Sequence, residues 1–256
     1  MKITILTLFP EFFTSFLETS IIKRAISKNI VSFDIINIRD FTKDKHHRVD
    51  NPPYGGGAGL IMMCQPVLDA LKTVEGNKKV LLTSPKGKTF NQEKALSLSK
   101  EEHLVFICGH YEGLDARIED YVDETISIGD FILTGGEVAL LSVIDATVRL
   151  IPDAITDKSI EEESFNNNLL EYPQYSFPYD YEGKKVPDIL FSGNHTAIKK
   201  WQRKQSLYLT KTLRPDLFSK LTLTKEDISL LKEIEENITP DWEISAIEKG
   251  KKFIKK

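Results

Sequence analysis

Apolar residues in the first half of the chain fall into short blocks separated by polar or helix-patterned stretches. Ile3–Leu8, Val31–Ile38, Val80–Thr83, Leu104–Cys108 and Val122–Ile128 have the length and composition of strands. Between them, Phe12, Phe13, Phe16, Leu17, Ile21 and Ile22 recur at helical spacing, and Val67, Leu68 and Leu71 predict a short helix. A polar helix is expected near Gln92–Leu98. The run Glu137–Ile151 predicts a long, mostly buried helix that Pro152 stops. Strands alternating with helices imply an α/β domain with a largely parallel sheet.

The pattern changes after Pro152. Asp153 to Asn168 is polar, acidic and aperiodic, the composition of a linker. An aromatic- and proline-rich stretch, Tyr172–Pro187, leads into three helical patterns. The first covers roughly Asn194–Thr212. The second opens at Thr224, whose spacing to Asp227 is that of a capping box, and the third lies near Trp242–Ile254. The expected organisation is an α/β domain at residues 1–155, a flexible linker at 156–168 and a small, mainly helical domain at 169–256.

Composition narrows the class. The apolar N-terminal run is followed by Pro10 and Glu11 without a small-residue cleavage site, so it reads as a strand and not a signal peptide. No apolar stretch approaches the ~18 residues that would cross a bilayer. The two cysteines, Cys64 and Cys108, have no metal-like or redox-like spacing. These features fit a cytoplasmic protein with no membrane association and no protein-bound metal site. The net charge of −4 argues against a uniformly basic nucleic-acid binder, but Lys184, Lys185, Lys199, Lys200, Arg203, Lys204, Lys211 and Arg214 are opposed only by Asp188 between residues 184 and 214.

Three segments carry glycine: Tyr54-Gly55-Gly56-Gly57-Ala58-Gly59, Cys108-Gly109-His110-Tyr111-Glu112-Gly113, and Ser127-Ile128-Gly129-Asp130-Phe131-Ile132-Leu133-Thr134-Gly135-Gly136-Glu137. The last two follow strands, and Ser84-Pro85-Lys86-Gly87 ends a third. Taken singly, each reads more readily as a turn fixing a strand exit than as a binding loop. Together, at the carboxyl ends of parallel strands, three loops can converge on one ligand crevice. None has the dinucleotide fingerprint or the Lys-Ser/Thr ending of a phosphate loop, which argues against an NAD-type or ATP-hydrolysing site.

These loops, in order with Arg39-Asp40-Phe41-Thr42, Ser164-Phe165, Leu169-Leu170-Glu171 and Ser192-Gly193-Asn194-His195, resemble the bacterial tRNA (guanine-N1)-methyltransferase family. The correspondence runs from Met1 to about Ile238. The resemblance implies a SPOUT methyltransferase fold whose parallel sheet ends in a C-terminal trefoil knot, and a homodimer with its active site at the subunit interface. It implies S-adenosylmethionine as methyl donor, surrounded by Leu82, Ser84, Pro85, Gly109, Tyr111, Glu112, Gly113, Ile128, Gly129, Asp130, Phe131, Ile132, Leu133, Gly135 and Gly136. Glu112 could balance the methionine ammonium. The acceptor is N1 of the guanosine at position 37, beside the anticodon.

N1 of guanine carries a proton, so transfer needs a carboxylate to remove it and a cation to stabilise charge on O6. By resemblance the cation is Arg149, which also reads as an ordinary helix C-terminal arginine. The base is Glu163, within Glu161-Glu162-Glu163, which otherwise reads as a solvated acidic linker. The family's usual base is aspartate, so Glu163 is a departure. Phe177, in Tyr175-Ser176-Phe177-Pro178, is another, because relatives commonly carry Thr-Arg-Pro there. Magnesium is compatible with the reaction but nothing in the sequence demands it.

For the tRNA anticodon arm, the resemblance points to Asp50, Tyr54 and Gly56 as positioning the guanosine, and to Ser192, Asn194, His195, Lys199 and Arg203 as gripping the arm. Lys199, Lys200, Arg203 and Lys204 are spaced to form one helical stripe. The competing readings are a SPOUT-like RNA-binding or regulatory protein with degraded chemistry, and a ribose 2′-O-methyltransferase.

Overall fold

The computed structural model describes residues 1–155, 164–165 and 168–250, in two compact units, Met1–Asp157 and Lys158–Lys256. The sheet of the first unit is built from five strands: β1 (Lys2–Thr7), β2 (Ser32–Asn37), β5 (Lys79–Thr89), β6 (His103–Cys108) and β7 (Glu124–Ser127). All pairings are parallel, in the order β2-β1-β6-β5-β7.

A parallel sheet covered on both faces needs strands apolar at successive positions, not alternating ones. β6 meets this need. Leu104, Phe106 and Cys108 join one core with Ile3, Ile5, Leu81 and Ile126, while Val105 and Ile107 join the opposite core with Leu6, Val80 and Leu82. Helix α2 (Ser20–Ser27) and helix α5 (Gly136–Val148) cover the first face through Ile22, Ala25, Leu140, Val143, Ile144 and Val148. Helix α4 (Gln92–Leu98) adds Leu98 to that face, and α3 (Cys64–Lys72) covers the other through Val67, Leu68, Ala70 and Leu71. Burial of this much branched side chain, at roughly 25 cal/mol per Å2 of apolar surface, is what holds the layers together.

Several elements differ from their sequence outlines. The expected helix over Phe12–Ile22 is three pieces: a 3-10 turn at Pro10–Phe13, α1 at Thr14–Leu17, and α2, with Ser20 at φ 48° where the chain redirects. The strand expected to end at Thr83 does not end there. Thr83 and Lys88 both pair with Ile126, so Ser84–Gly87 bulges out and the strand resumes to Thr89. Two hairpins had no sequence signature strong enough to predict: β3 (Asp50–Asn51) with β4 (Ile61–Met62), and β8 (Asp180–Tyr181) with β9 (Lys184–Lys185).

The described part of the second unit is mainly helical: α6 (His195–Leu213), α7 (Pro215–Phe218), α8 (Lys225–Glu235) and α9 (Asp241–Gly250). Asn194 caps α6 by accepting from the Ala197 amide at 3.2 Å. Thr224 and Asp227 form the expected capping box on α8. Leu169, Leu207, Leu230 and Leu231 form its core, and Ile189, Ala197, Trp201 and Ala246 a second cluster.

Candidate active site

β6, β5 and β7 are neighbours, so the loops leaving their carboxyl ends stand side by side. They enclose a cleft of about 420 Å3, within the size range of small-molecule sites. Of the expected donor-binding residues, Leu82, Ser84, Pro85, Gly109, Tyr111, Glu112, Gly113, Ile128, Gly129, Phe131, Ile132, Leu133, Gly135 and Gly136 line it. Asp130 does not; it is exposed outside the lining. Thr83, Lys86, His110, Leu114, Glu119, Ser127, Thr134 and Ala139 also line the cleft, beyond those singled out from sequence.

The walls are tied together by backbone. The Gly136 amide donates to the Gly109 carbonyl at 2.8 Å, and His110 and Gly135 form an antiparallel bridge that joins the second loop to the third. The His110 ring lies 4.9 Å from Phe9 and 5.3 Å from Tyr111. At the head of α5, Glu137 is buried and accepts the Thr7 hydroxyl at 2.7 Å, which anchors this end of the helix to β1. Two glycines are needed for space or conformation. A Cβ on Gly87 would meet the Ile126 backbone at 2.5 Å, and Gly129 sits at φ 151° with the Phe131 ring against it. Such close-packed glycine walls expose carbonyls and amides that can read the edges of a heterocycle, with Leu82, Ile128 and Leu133 to bury its faces.

The triple-glycine loop stands against the cleft, not within it. The Glu112 amide donates to the Leu60 carbonyl at 3.0 Å, and Gly59 lies directly against the Glu112 side chain. Tyr54 projects fully into solvent, and Gly56, at φ 83°, has open space around it. Burial raises the Tyr111 phenol above its ordinary range, and Asp50 beside its hydroxyl adds to the rise, with Arg39 opposing. Asp50 is thereby linked through Tyr111 to the cleft.

Arg149 caps the C-terminal end of α5, thirteen residues from Gly136 and so about 20 Å along the axis. It does not line this chain's cleft. Glu163 lies outside the described residues, as do Glu161 and Glu162. Among the described residues no three His, Cys, Asp or Glu side chains gather as metal ligands, and no helix is long and apolar enough to cross a membrane.

In the second unit, Ser192 is buried, Asn194 is engaged as the cap of α6, and His195 and Lys199 are exposed. The basic stripe that the sequence leaves unopposed is largely compensated in the structure. Arg203 makes a bidentate pair with Asp227 (2.9 and 3.1 Å), Lys200 pairs with Glu226 at 3.2 Å, and buried Lys204 pairs with Glu243 at 2.6 Å and Glu233 at 3.4 Å. The acids come from α8 and α9, outside the sequence window in which the stripe looked unopposed. Arg203 in turn holds the Asp227 carboxyl below the ordinary carboxylate range.

The model of the family described as tRNA (Guanine-1)-methyltransferase TrmD matches residues 1–220. A curated tRNA (guanine-N(1)-)-methyltransferase of Clostridium perfringens strain 13 is 57% identical over 235 residues, spanning 91% of this chain and 99% of that protein. The enzyme of the same name from Clostridium beijerinckii is also 57% identical, over 91% of this chain and 98% of its own length. That of Clostridium botulinum strain Langeland is 53% identical over 93% of this chain and all of its own. With the glycine loops gathered on one cleft and the match running through most of both units, the chain belongs to the TrmD family of tRNA (guanine-1)-methyltransferases.

Proposed function

We propose that this protein transfers a methyl group from S-adenosylmethionine to N1 of guanosine 37 in tRNA. The observation that carries the reading is the convergence of three strand-end loops on one cleft with glycine-packed walls. When bound, S-adenosylmethionine supplies an electrophilic methyl on a sulfonium and leaves as a neutral thioether. The cleft residues hold it and exclude water, with Glu112 facing its ammonium. Glu163 takes the N1 proton as the new N–C bond forms, and Arg149 stabilises the negative charge that develops on O6. Asp50, Tyr54 and Gly56 position the base, which must leave its stack to be reached.

The acting species is a homodimer. Arg149 is separated from its own cleft by the length of α5, so its role requires the cleft of a second copy. The exposed apolar side chains of Phe131, Ile132 and Val138 suit burial against such a copy. On this reading the first unit is the catalytic domain with its knotted loops, the second grips the anticodon arm through Ser192, Asn194, His195 and Lys199, and Arg203 positions the helix that carries Lys199 by pairing with Asp227. The protein works in the cytoplasm, and magnesium remains compatible with the chemistry.

The test is methyl incorporation into an anticodon stem-loop followed by nucleoside identification. 1-Methylguanosine is expected; 2′-O-methylated nucleoside or no product contradicts the reading. Glu163→Gln should lower single-turnover transfer by on the order of 10²-fold or more with RNA affinity retained. Near-normal transfer by this variant, with loss in Glu162→Gln, would move the base to the neighbouring position.

A further inference from the structure

The methyl-transfer chemistry makes no use of Glu137, a carboxylate only 3% exposed in the first turn of α5. Burying a carboxylate is costly unless its lone pairs are met, and the positive end of a helix meets only part of that need. Thr7, itself fully buried at the end of β1, donates its hydroxyl to Glu137 Oε1 at 2.7 Å. The Thr7 oxygen accepts in turn from the Phe9 amide at 3.0 Å. The Phe9 ring then lies 4.9 Å from the ring of His110.

The other carboxylate oxygen closes the circuit. A Cβ on Gly135 would collide with Glu137 Oε2 and, at 2.5 and 2.7 Å, with Cδ2 and Nε2 of His110. Carboxylate and imidazole therefore border the one space that Gly135 leaves by having no side chain. Oε2 and Nε2 are at most about 5 Å apart, the span of a single bridging water. The backbones are tied at the same place, by the bridge between His110 and Gly135 and the Gly136 amide on the Gly109 carbonyl. His110 and Gly135 line the cleft; Glu137 does not.

We propose that Glu137 is a positioning residue for the methyl donor and acts through His110, whose ring it fixes as part of the cleft wall. The proposal rests on the donor-binding reading of the cleft. A neutral imidazole carries its proton on either nitrogen, and a fixed carboxylate beside Nε2 selects the form with the proton there. Donation to Oε2, directly or through one water, holds that edge of the ring against Gly135. Protonation of the ring leaves the bond in place, because both nitrogens then donate. Since Thr7 anchors the carboxylate, the ring takes its position from β1 and α5 as well as from its own loop.

The experiment is a double-mutant cycle on the full chain: His110→Ala, Glu137→Gln and the two together. Affinity for S-adenosylmethionine is measured by calorimetric titration, with kcat, KM and thermal midpoint in parallel. Each single variant should weaken donor binding by about tenfold, the loss of one hydrogen bond to a charged group, and the pair should lose no more than either alone. kcat at saturating donor should change less than about twofold, because the reacting groups are elsewhere. Thr7→Val strips Glu137 of its hydroxyl and should reproduce the loss, while Thr7→Ser keeps the hydroxyl and should keep the affinity. That comparison decides the matter even if Glu137→Gln does not fold. The His110 ring resonances should shift in Glu137→Gln. Additive losses in the cycle, or a lowered midpoint with donor affinity intact, would make Glu137 a helix anchor alone and overturn the proposal. A full chain that binds no S-adenosylmethionine overturns the donor-binding reading as well.

Discussion

The cleft of the first unit and the charged face of the second achieve their shapes by opposite means. The cleft is made of backbone: glycines pressed against neighbouring strands, amide-to-carbonyl links such as Gly136 to Gly109, and a bridge between His110 and Gly135. The face of α6 is made of long side chains whose charges are held by carboxylates of α8 and α9. A backbone-built site tolerates salt and mild acid but not an added methyl group. A charge-built surface tolerates changes of volume but responds to pH and ionic strength.

The largest effect should come from adding a methyl to the bulge that borders the cleft, where Gly87 packs behind the lining residue Ile126. Gly87→Ala sets a Cβ against the Ile126 backbone, which cannot rotate away, so a loss of about 3 kcal/mol in the first unit is expected, with donor binding lost alongside. Denaturant melts and calorimetric titration measure both; an unchanged variant would mean that the bulge is not fixed as described. Next, Arg203→Ala leaves buried Asp227 without its partner and should cost roughly 1–2 kcal/mol in the second unit, discounted because the arginine is partly exposed. Donor affinity should be untouched, and a shift in it would erase the distinction drawn between the two regions.

Acid sharpens the same contrast. The Asp227 carboxyl is held below its ordinary value chiefly by Arg203, so its stabilisation is fully present above the unfolded carboxylate range near ~4. It is lost as pH falls through the depressed folded value. Stability of the second unit should therefore decline on acidification, and less steeply in Arg203→Ala, as followed by urea midpoints at several pH values. The smallest effect is a gain. The Thr147 hydroxyl in α5 is buried and, among the described residues, has no hydrogen-bond partner. Thr147→Val should add up to about 1 kcal/mol to the first unit and leave donor affinity alone, as thermal and titration measurements can check.

The strands and glycine loops were legible because each is carried by contiguous residues: Leu104–Cys108 is apolar throughout, and Gly109 follows it at once. The bulge at Ser84–Gly87 was not legible, because the strand resumes only through pairing of Lys88 and Thr89 with β7. The place of His110 on the cleft is hidden in the sequence for a similar reason, since it depends on a bridge to Gly135. The fate of the basic stripe depended on Glu226, Asp227, Glu233 and Glu243, which lie more than twenty positions away and reach α6 only after the helices pack. Local sequence encodes where the backbone turns; long-range packing decides which charges are left to meet a ligand.

The central claim is that backbone and apolar walls at the ends of β5, β6 and β7 hold the methyl donor. Calorimetric titration of S-adenosylmethionine into the full chain at low and at high salt tests it most directly. Binding whose affinity changes less than about threefold between 0.05 and 0.5 M salt is predicted, while tRNA affinity falls steeply over the same range. Absence of binding, or a donor affinity that falls with salt as steeply as that for RNA, would contradict it.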